Sequence, residues 1–197
     1  MAYLFFFRYL IAIFNSKNYA KIFSRAYFSV KLKNYNSFYR MKITLLVTGK
    51  TDEHYLREGI DLYARRLVHY CDFNILEIPD LKKTRNISKE QRKILEGQNI
   101  VSKMGPGKEM YLFDERGSIY NSKEFAGFIE KRMVSGLKEM IFVIGGPYGF
   151  SNEVYQRAAS RISLSRMTFS HQLARLLCAE QLYRAFSIIK GYPYHND

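Results

Sequence analysis

The sequence is poor in cysteine, proline and long apolar runs, and each shortage excludes a class of protein. Its 197 residues include two cysteines, Cys71 and Cys178, too few for a disulfide framework and typical of buried thiols in a reducing compartment. Four prolines and 47% hydrophobic content argue against general disorder. The apolar stretch 3–14 contains Arg8 and is shorter than the ~20 residues of a membrane span, so no spanning helix is predicted.

Negative charge is also scarce. The chain carries 31 Lys and Arg against 18 Asp and Glu, and this net charge of +13 favours a polyanionic partner such as nucleic acid. Residues 1–40 contain seven basic residues and no acidic one, so the net charge of residues 41–197 is only +6. His171 and Cys178 can share a helix face, but two ligands do not make a zinc site, and no metal is predicted.

From Met41 onward, β-rich runs alternate with amphipathic segments. Strands are predicted at Met41–Thr48, Phe73–Ile78, Glu109–Phe113, Met140–Ile144 and Ile162–Ser165. The helices between them are predicted to start at Thr51 or Asp52, at Ser88 with Gln91 as a capping box, at Asn121 with Glu124, and at Ser151. The Ser88 helix is expected to reach about Met104. This alternation predicts a three-layer α/β domain around a mostly parallel sheet of five or six strands.

The longest helix is predicted from about His171 to Lys190. Its apolar positions cover more than one narrow stripe, which indicates a largely buried helix. These positions are Leu173, Leu176, Leu177, Leu182, Ala185, Phe186 and Ile189. Gly191 and Pro193 are typical stop signals, and a polar tail with Tyr194 and His195 follows.

Several motifs occur in order along residues 41–197. They are Met41-Lys-Ile-Thr-Leu-Leu-Val-Thr-Gly-Lys, Tyr111-Leu-Phe-Asp-Glu-Arg-Gly, Val143-Ile-Gly-Gly-Pro-Tyr-Gly-Phe, L-S-x-M-T-F-x-H-Q-x-x-R from Leu164, E-Q-x-Y-R-A from Glu180, and a terminal Tyr-His. Together they resemble the SPOUT superfamily of knotted methyltransferases, and within it the enzymes that methylate a pseudouridine of large-subunit ribosomal RNA. The resemblance implies a cytoplasmic homodimer with a C-terminal trefoil knot. Such an enzyme transfers a methyl group from S-adenosylmethionine to N3 of a pseudouridine in 23S ribosomal RNA of the ribosome.

The resemblance does not cover residues 1–40. Their basic, acid-free composition is typical of a transit peptide, and their apolar and aromatic content also suits an interfacial anchor. Phe, Tyr, Asn, Lys and Ile dominate the segment, as in translated AT-rich DNA. We therefore expect residues 1–40 to be an upstream extension without a role in activity, and residues 41–197 to be the methyltransferase domain.

Three segments are expected to follow strand ends, which is where open α/β sheets bind ligands. They are the region of Leu112, Gly145–Phe150 and Leu164–Phe169. Gly145-Gly146 lets a ligand approach the backbone closely, although a glycine pair is as typical of a plain tight turn. The resemblance implies that the three segments bind S-adenosylmethionine, partly through the packing of apolar side chains on the adenine. The implied cofactor-binding residues are Leu112, Gly145, Leu164, Ser165, Arg166, Met167, Thr168 and Phe169.

The tail offers the chemistry that the implied reaction needs. N3 of pseudouridine holds an imide proton at neutral pH, and a histidine with the ordinary pKa of about 6.5 can accept such a proton. The resemblance implies that Tyr194 and His195 position the target base and handle this proton. The chain departs from its relatives at Ser170, where Pro is frequent and a looser helix start is expected here. It departs again at the terminal Asn-Asp, where a basic residue is frequent.

Other polar residues have ordinary explanations. Glu180 and Arg184 predict an i, i+4 ion pair, and His171 could cap or orient its helix. Arg175 could contact RNA phosphate, a partner subunit or the tail. Two other functional classes stay open: a non-catalytic ribosome- or RNA-binding factor on the same fold, and a membrane-surface protein that uses residues 1–40.

Overall fold

The structure is a computed structural model, and it describes residues 41–81 and 87–192. Strands and helices alternate along these ranges, as the sequence predicts. The elements are β1 (Lys42–Thr48), α1 (His54–Leu67), β2 (Asp72–Ile78), α2 (Lys89–Val101), β3 (Lys108–Ile119), α3 (Ser122–Val134), β4 (Glu139–Ile144), α4 (Asn152–Arg157), β5 (Ser160–Ser163) and α5 (His171–Ile189).

The five strands form one sheet in the order β2-β1-β4-β3-β5, and all neighbouring pairs are parallel. All side chains of β4 are buried, as expected where helices cover both faces of a parallel sheet. Helix α5 packs against α1 and α3, while α2 packs against α4. The domain therefore has three layers, with the sheet between two layers of helices, which confirms the predicted three-layer α/β fold class. Strand order alone does not define how the backbone threads, so the trefoil knot stays a prediction.

An apolar cluster fastens α2 and α4 to the sheet. Its members are Leu46, Ile78, Ile100, Met110, Leu112, Ile141, Val143, Phe150 and Val154, all buried. Each fully buried Leu, Ile or Val side chain contributes roughly 1.5–3 kcal/mol relative to an exposed one. This cluster also fixes Phe150, which lies near the end of the connection between β4 and α4.

Apart from the start of α1, three elements have a boundary that differs from the prediction by two residues or more. Strand β5 is Ser160–Ser163 rather than Ile162–Ser165, because it pairs with β3 from Ser160 opposite Tyr111. Strand β3 continues past its predicted end at Phe113 to Ile119, although its last residues are polar. Helix α2 ends before Met104, because the amide of Met104 bonds to the carbonyl of Val101 in a tighter final turn.

The predicted caps hold for three helices. Asn121 and Glu124 form a complete capping box at α3, and Ser151 accepts a hydrogen bond from the Val154 amide at α4. Ser88 likewise accepts a hydrogen bond from the Gln91 amide at α2. These bonds satisfy amides that the first helical turn cannot pair.

The predicted cap of α1 was wrong. The helix begins after Glu53, whose side chain makes no capping hydrogen bond. Thr51 instead accepts a hydrogen bond from Arg175 Nη1 at 3.0 Å, and Asp52 Oδ2 accepts one from Gln172 Nε2 at 3.1 Å. The two expected capping side chains thus connect the start of α1 to α5.

Candidate active site

A cavity of about 530 Å³ lies at the carboxyl ends of β3, β4 and β5. Its walls come from residues 113–116, 144–150, 163–165 and 167–171, together with Tyr155 and Ala174. Cavities of several hundred Å³ are the usual size of sites for small organic ligands. The cavity lies at the sheet edge where the sequence predicts a ligand.

Most of the predicted cofactor-binding residues line this cavity. They are Gly145, Leu164, Ser165, Met167, Thr168 and Phe169. Arg166 lies in the same loop, but its side chain is exposed and is not part of the wall.

Leu112 is not brought to the cavity. Its side chain is fully buried among Val143, Phe150 and Val154 in the apolar cluster. Neighbouring residues of a strand face opposite sides of the sheet, and the next residue, Phe113, is the one that lines the cavity. Leu112 therefore supports the site from the core and does not offer a surface to a ligand.

A bulge in β3 forms one wall of the cavity. Phe113 and Ser118 both lie opposite Ile162, so residues 114–117 leave the ladder between them. A Cβ on Gly117 would lie 2.5 Å from the backbone nitrogen of Ile162, so only glycine fits there. The bulge carries Asp114 and Arg116 into the wall.

Asp114, Arg116 and Tyr155 form a hydrogen-bonded cluster in this wall. The Tyr155 hydroxyl donates to Asp114 Oδ2 at 2.5 Å, and Arg116 Nη2 donates to the Tyr155 oxygen at 2.8 Å. Burial favours a higher pKa for Asp114, but hydrogen bonds from Tyr155 and the Arg116 amide outweigh burial and lower that pKa. Burial and the Asp114 carboxylate raise the pKa of Tyr155. At neutral pH the cluster therefore holds a carboxylate, a neutral phenol and an exposed guanidinium.

This cluster was missed by the sequence analysis. The motif containing Asp114 and Arg116 was noted, but no role was assigned to either residue. The available signal was a charged run ending in Gly117 directly after a buried strand. Such a run is equally typical of a solvated loop, and Tyr155 lies about forty residues further along the chain.

The loop after β5 is shaped by two serines. Ser163 Oγ donates to the carbonyl of Ser165 at 2.7 Å, and the Met167 amide donates to Ser165 Oγ at 3.0 Å. The loop ends in two apolar side chains on the cavity wall, Met167 and Phe169, which are 73% and 39% exposed.

Helix α5 starts at the floor of the cavity with a regular cap. Ser170, which stands where proline is frequent in relatives, accepts a hydrogen bond from the Leu173 amide at 3.2 Å and caps the helix. The cap is Ser170 and not His171, which lines the cavity as the first helical residue. Burial, and secondarily the charge of Arg175, lower the pKa of His171.

Arg175 has a structural role within the protomer. Its side chain is 1% exposed, Nη1 donates to Thr51 Oγ1 and Nη2 donates to the carbonyl of Thr48 at 2.6 Å. A contact with RNA phosphate is excluded by this burial. The predicted ion pair of Arg184 with Glu180 is present, with Nη2 and Oε1 2.6 Å apart.

Helix α5 ends in a Schellman motif. The Tyr192 amide donates to the carbonyl of Ser187 at 2.9 Å, and the Gly191 amide donates to that of Ile188 at 3.0 Å. Gly191 has φ +67°, which the motif requires. The ring of Tyr192 lies edge-on to Tyr70, 5.9 Å between centroids. The predicted catalytic residues Tyr194 and His195 follow this motif and lie outside the described residues.

Within residues 41–81 and 87–192, no helix is long and apolar enough to cross a membrane. In the same ranges, no three His, Cys, Asp or Glu side chains are grouped so that they could hold a metal ion.

The fold is that of a parallel α/β protein, and its cavity at the carboxyl ends of the strands has the size of a small-ligand site. A family model described as "Predicted SPOUT methyltransferase" matches residues 41–195. The chain therefore belongs to the SPOUT methyltransferase family.

Two relatives of high sequence identity agree with this assignment. The "Ribosomal RNA large subunit methyltransferase H" of Christiangramia forsetii is 53% identical over 156 residues, which is 79% of this chain and 99% of the relative. The protein of the same name from Porphyromonas gingivalis (strain ATCC 33277) is 49% identical over 157 residues, covering 80% and 100%. A solved structure of a probable methyltransferase from Bordetella pertussis Tohama I is 15% identical with a TM-score of 0.47, covering 77% of this chain and 96% of that one.

Proposed function

We propose that this protein methylates N3 of a pseudouridine in 23S ribosomal RNA, with S-adenosylmethionine as the methyl donor. The observation that carries this proposal is the position of the cavity, whose walls are built by the family motifs at three adjacent strand ends. Relatives that match almost from end to end are named large-subunit ribosomal RNA methyltransferases.

The cavity suits S-adenosylmethionine. Leu164, Met167 and Phe169 offer apolar surface for an adenine, and the backbone of Gly145 and Gly146 is open to polar ligand atoms. Recognition of adenine and ribose then falls to backbone groups of the loop that Ser163 and Ser165 hold in place. When bound, the cofactor supplies a methyl group activated on a sulfonium. We assign cofactor binding to Gly145, Leu164, Ser165, Met167, Thr168 and Phe169.

The target nitrogen must lose its imide proton before or during methyl transfer. We assign the removal of this proton to the tail, with His195 as the proton acceptor and Tyr194 as the residue that positions the target base. The Schellman motif supports this assignment, because it fixes the direction in which the chain leaves α5.

Basic side chains near the cavity suit an RNA substrate. Arg116, Arg161 and Arg166 are exposed, and the guanidinium groups of Arg116 and Arg161 each lie 5.7 Å from the ring centroid of Tyr155. Arginines in such positions can bind phosphates and hold the substrate backbone while the target base enters the cavity. Shape recognition of a folded ribosome fits a domain of this size.

We also propose a cytoplasmic homodimer whose activity resides in residues 41–197. Met167 and Phe169 are exposed apolar side chains at the cavity, and a second copy would cover them and complete its wall. Removal of residues 1–40 should then leave methylation unchanged.

Mass spectrometry of ribosomal RNA tests the function. Cells that lack this protein should lose one methylated pseudouridine in the large subunit, and the wild-type gene should restore it. The purified protein should methylate ribosomes from the deficient cells with labelled S-adenosylmethionine. Ribosome binding without methylation in this assay would instead identify a non-catalytic factor.

A further inference from the structure

Helix α2 lies directly behind the loop that follows β4, which we call the glycine loop (residues 145–150). A Cβ on Gly97 would overlap Ser151 Oγ, so glycine allows α2 to approach the end of this loop closely. One turn of α2, from Arg92 to Glu96, then faces the loop at two points. Neither of these residues lines the cavity itself.

The first contact is made by a buried carboxylate. The Glu96 side chain is 5% exposed, and its Oε1 accepts a hydrogen bond from Arg92 Nε at 2.9 Å. Among the residues that the structure describes, Glu96 Oε2 has no hydrogen-bond partner. Burying a carboxylate oxygen in this way is unfavourable, so packing alone does not explain a glutamate here.

This second oxygen is directed at the cavity wall. A Cβ on Gly146 would lie 2.8 Å from Glu96 Oε2, which is closer than the two atoms can approach. Gly146 lines the cavity, so the carboxylate lies immediately behind a residue that a ligand can touch. The absence of a side chain at residue 146 is thus a condition for the position of Glu96.

The second contact is made by Arg92. Its guanidinium lies 5.5 Å from the ring centroid of Tyr148, and the ammonium of Lys89 lies 5.7 Å from the same ring. Tyr148 also lines the cavity. Arg92 therefore connects the buried carboxylate to a second residue of the glycine loop.

We propose that Glu96 is a positioning residue for cofactor binding, held by Arg92 and acting through Gly146 on the conformation of the glycine loop. This role rests on the proposed function, because the ligand is its cofactor. Loss of the carboxylate should weaken cofactor binding and leave the rate at saturating cofactor almost unchanged.

Calorimetry with S-adenosylmethionine on the full chain tests this role. Glu96→Ala should weaken binding about tenfold and Glu96→Gln by less, since the amide keeps the shape of the side chain. Glu90→Gln is the matched control, because Glu90 is an exposed acid of the same helix that pairs with Lys93 at 2.5 Å. In steady-state methylation, KM for the cofactor should rise in Glu96→Ala while kcat stays within about twofold of the wild type.

A reciprocal substitution separates positioning from general destabilisation. Gly146→Ala should weaken cofactor binding because its Cβ meets Glu96, and the double variant with Glu96→Ala should lose no more affinity than the weaker-binding single variant, since both substitutions disrupt the same contact. Gly145→Ala is the control, since its Cβ meets the Phe150 ring at 2.9 Å, and its effect on affinity should add to that of Glu96→Ala.

The outcomes distinguish the two proposals. A wild-type protein that binds no S-adenosylmethionine would overturn the proposed function. Wild-type binding with equal affinity in Glu96→Ala, or additive effects of Gly146→Ala and Glu96→Ala, would overturn the role of Glu96 alone. If Glu96→Ala does not fold, Glu96→Gln with unchanged affinity and KM would also overturn it.

Discussion

Replacement of Gly191 by alanine tests whether the end of α5 controls the tail to which we assign proton removal. Gly191 has φ +67°, and a Cβ there would meet no atom within 4 Å, so the substitution adds backbone strain without a clash. That strain is about 1 kcal/mol for a residue other than glycine. If the Schellman motif persists, the melting temperature should fall by about 2–4 °C for a domain of this size.

The chain can also relieve the strain by unwinding the last turn of α5. The bond from the Tyr192 amide to Ser187 then breaks, and the chain leaves the helix in another direction. In that case the single-turnover methylation rate should fall about tenfold or more, with cofactor affinity unchanged and the melting temperature only slightly lower.

The matched control is Gly191→Asn, because asparagine adopts the left-handed conformation more readily than alanine. Its rate should lie between those of the wild type and Gly191→Ala. A wild-type rate in Gly191→Ala together with an only slightly lower melting temperature, which indicates unwinding, would show that the Schellman motif does not direct the tail. Equal losses in the alanine and asparagine variants would argue against backbone conformation as the cause.

Three further substitutions test separate parts of the site. Gly145→Val should weaken S-adenosylmethionine binding by at least about tenfold (~1.4 kcal/mol), since the valine side chain must displace the Phe150 ring. Unchanged affinity in the folded variant would remove Gly145 from the cofactor site. Leu177 is only half-buried within the protomer, so Leu177→Glu should give monomers by light scattering. Leu182 is 0% exposed in the core of the protomer, so Leu182→Glu should unfold it. An active dimer of Leu177→Glu would place the interface elsewhere. The lowered pKa of Asp114 contributes stability that is present above the ordinary pKa of about 3.9 and is lost as pH falls through the lowered pKa. Asp114→Asn should therefore make the free energy of unfolding less dependent on pH in that acid range. An unchanged slope of this free energy against pH would mean that Asp114 is not held as a carboxylate.

Local chemistry made much of the fold predictable. Caps such as Asn121 and Ser151 act on amides three residues away, so their effect is visible in a short stretch of sequence. The same local logic failed at Thr51 and Asp52, because their oxygens accept hydrogen bonds from α5, more than a hundred residues further along the chain. Long-range partners of this kind cannot be read from local pattern.

The site was predictable where a motif and a strand end coincide. Gly145 and the loop after β5 satisfy both conditions, and the structure brings them to one cavity. The side chain of Leu112 does not reach the cavity because strand alternation turns it to the core, which the motif alone does not indicate. Glu96 was not considered at all, since a glutamate within a helix is usually on the solvated face and only the packing of α2 buries it.

The pH dependence of methylation can separate two histidines, His195 and His171, as candidates for the proton acceptor. If His195 accepts the imide proton, it must be neutral, so the rate should fall as pH drops through its pKa. His195→Ala should then lower the single-turnover rate about 10²–10⁴-fold and remove that inflection. Tyr194→Phe should have a small effect if the ring only stacks on the target base.

His171 is the necessary control, because it lines the cavity and its pKa is lowered by burial and by Arg175. Below pH about 6.5 the unfolded chain binds a proton at His171, while the folded protein does not bind it until the lowered pKa is reached. The free energy of unfolding therefore decreases as the pH is lowered from about 6.5 to that pKa. Rates must therefore be measured with thermal unfolding at each pH, so that only folded protein is compared. His171→Gln should keep the inflection, since His171 is already neutral above its lowered pKa. An inflection that survives in His195→Ala and disappears in His171→Gln would transfer the proton acceptor from the tail to the start of α5.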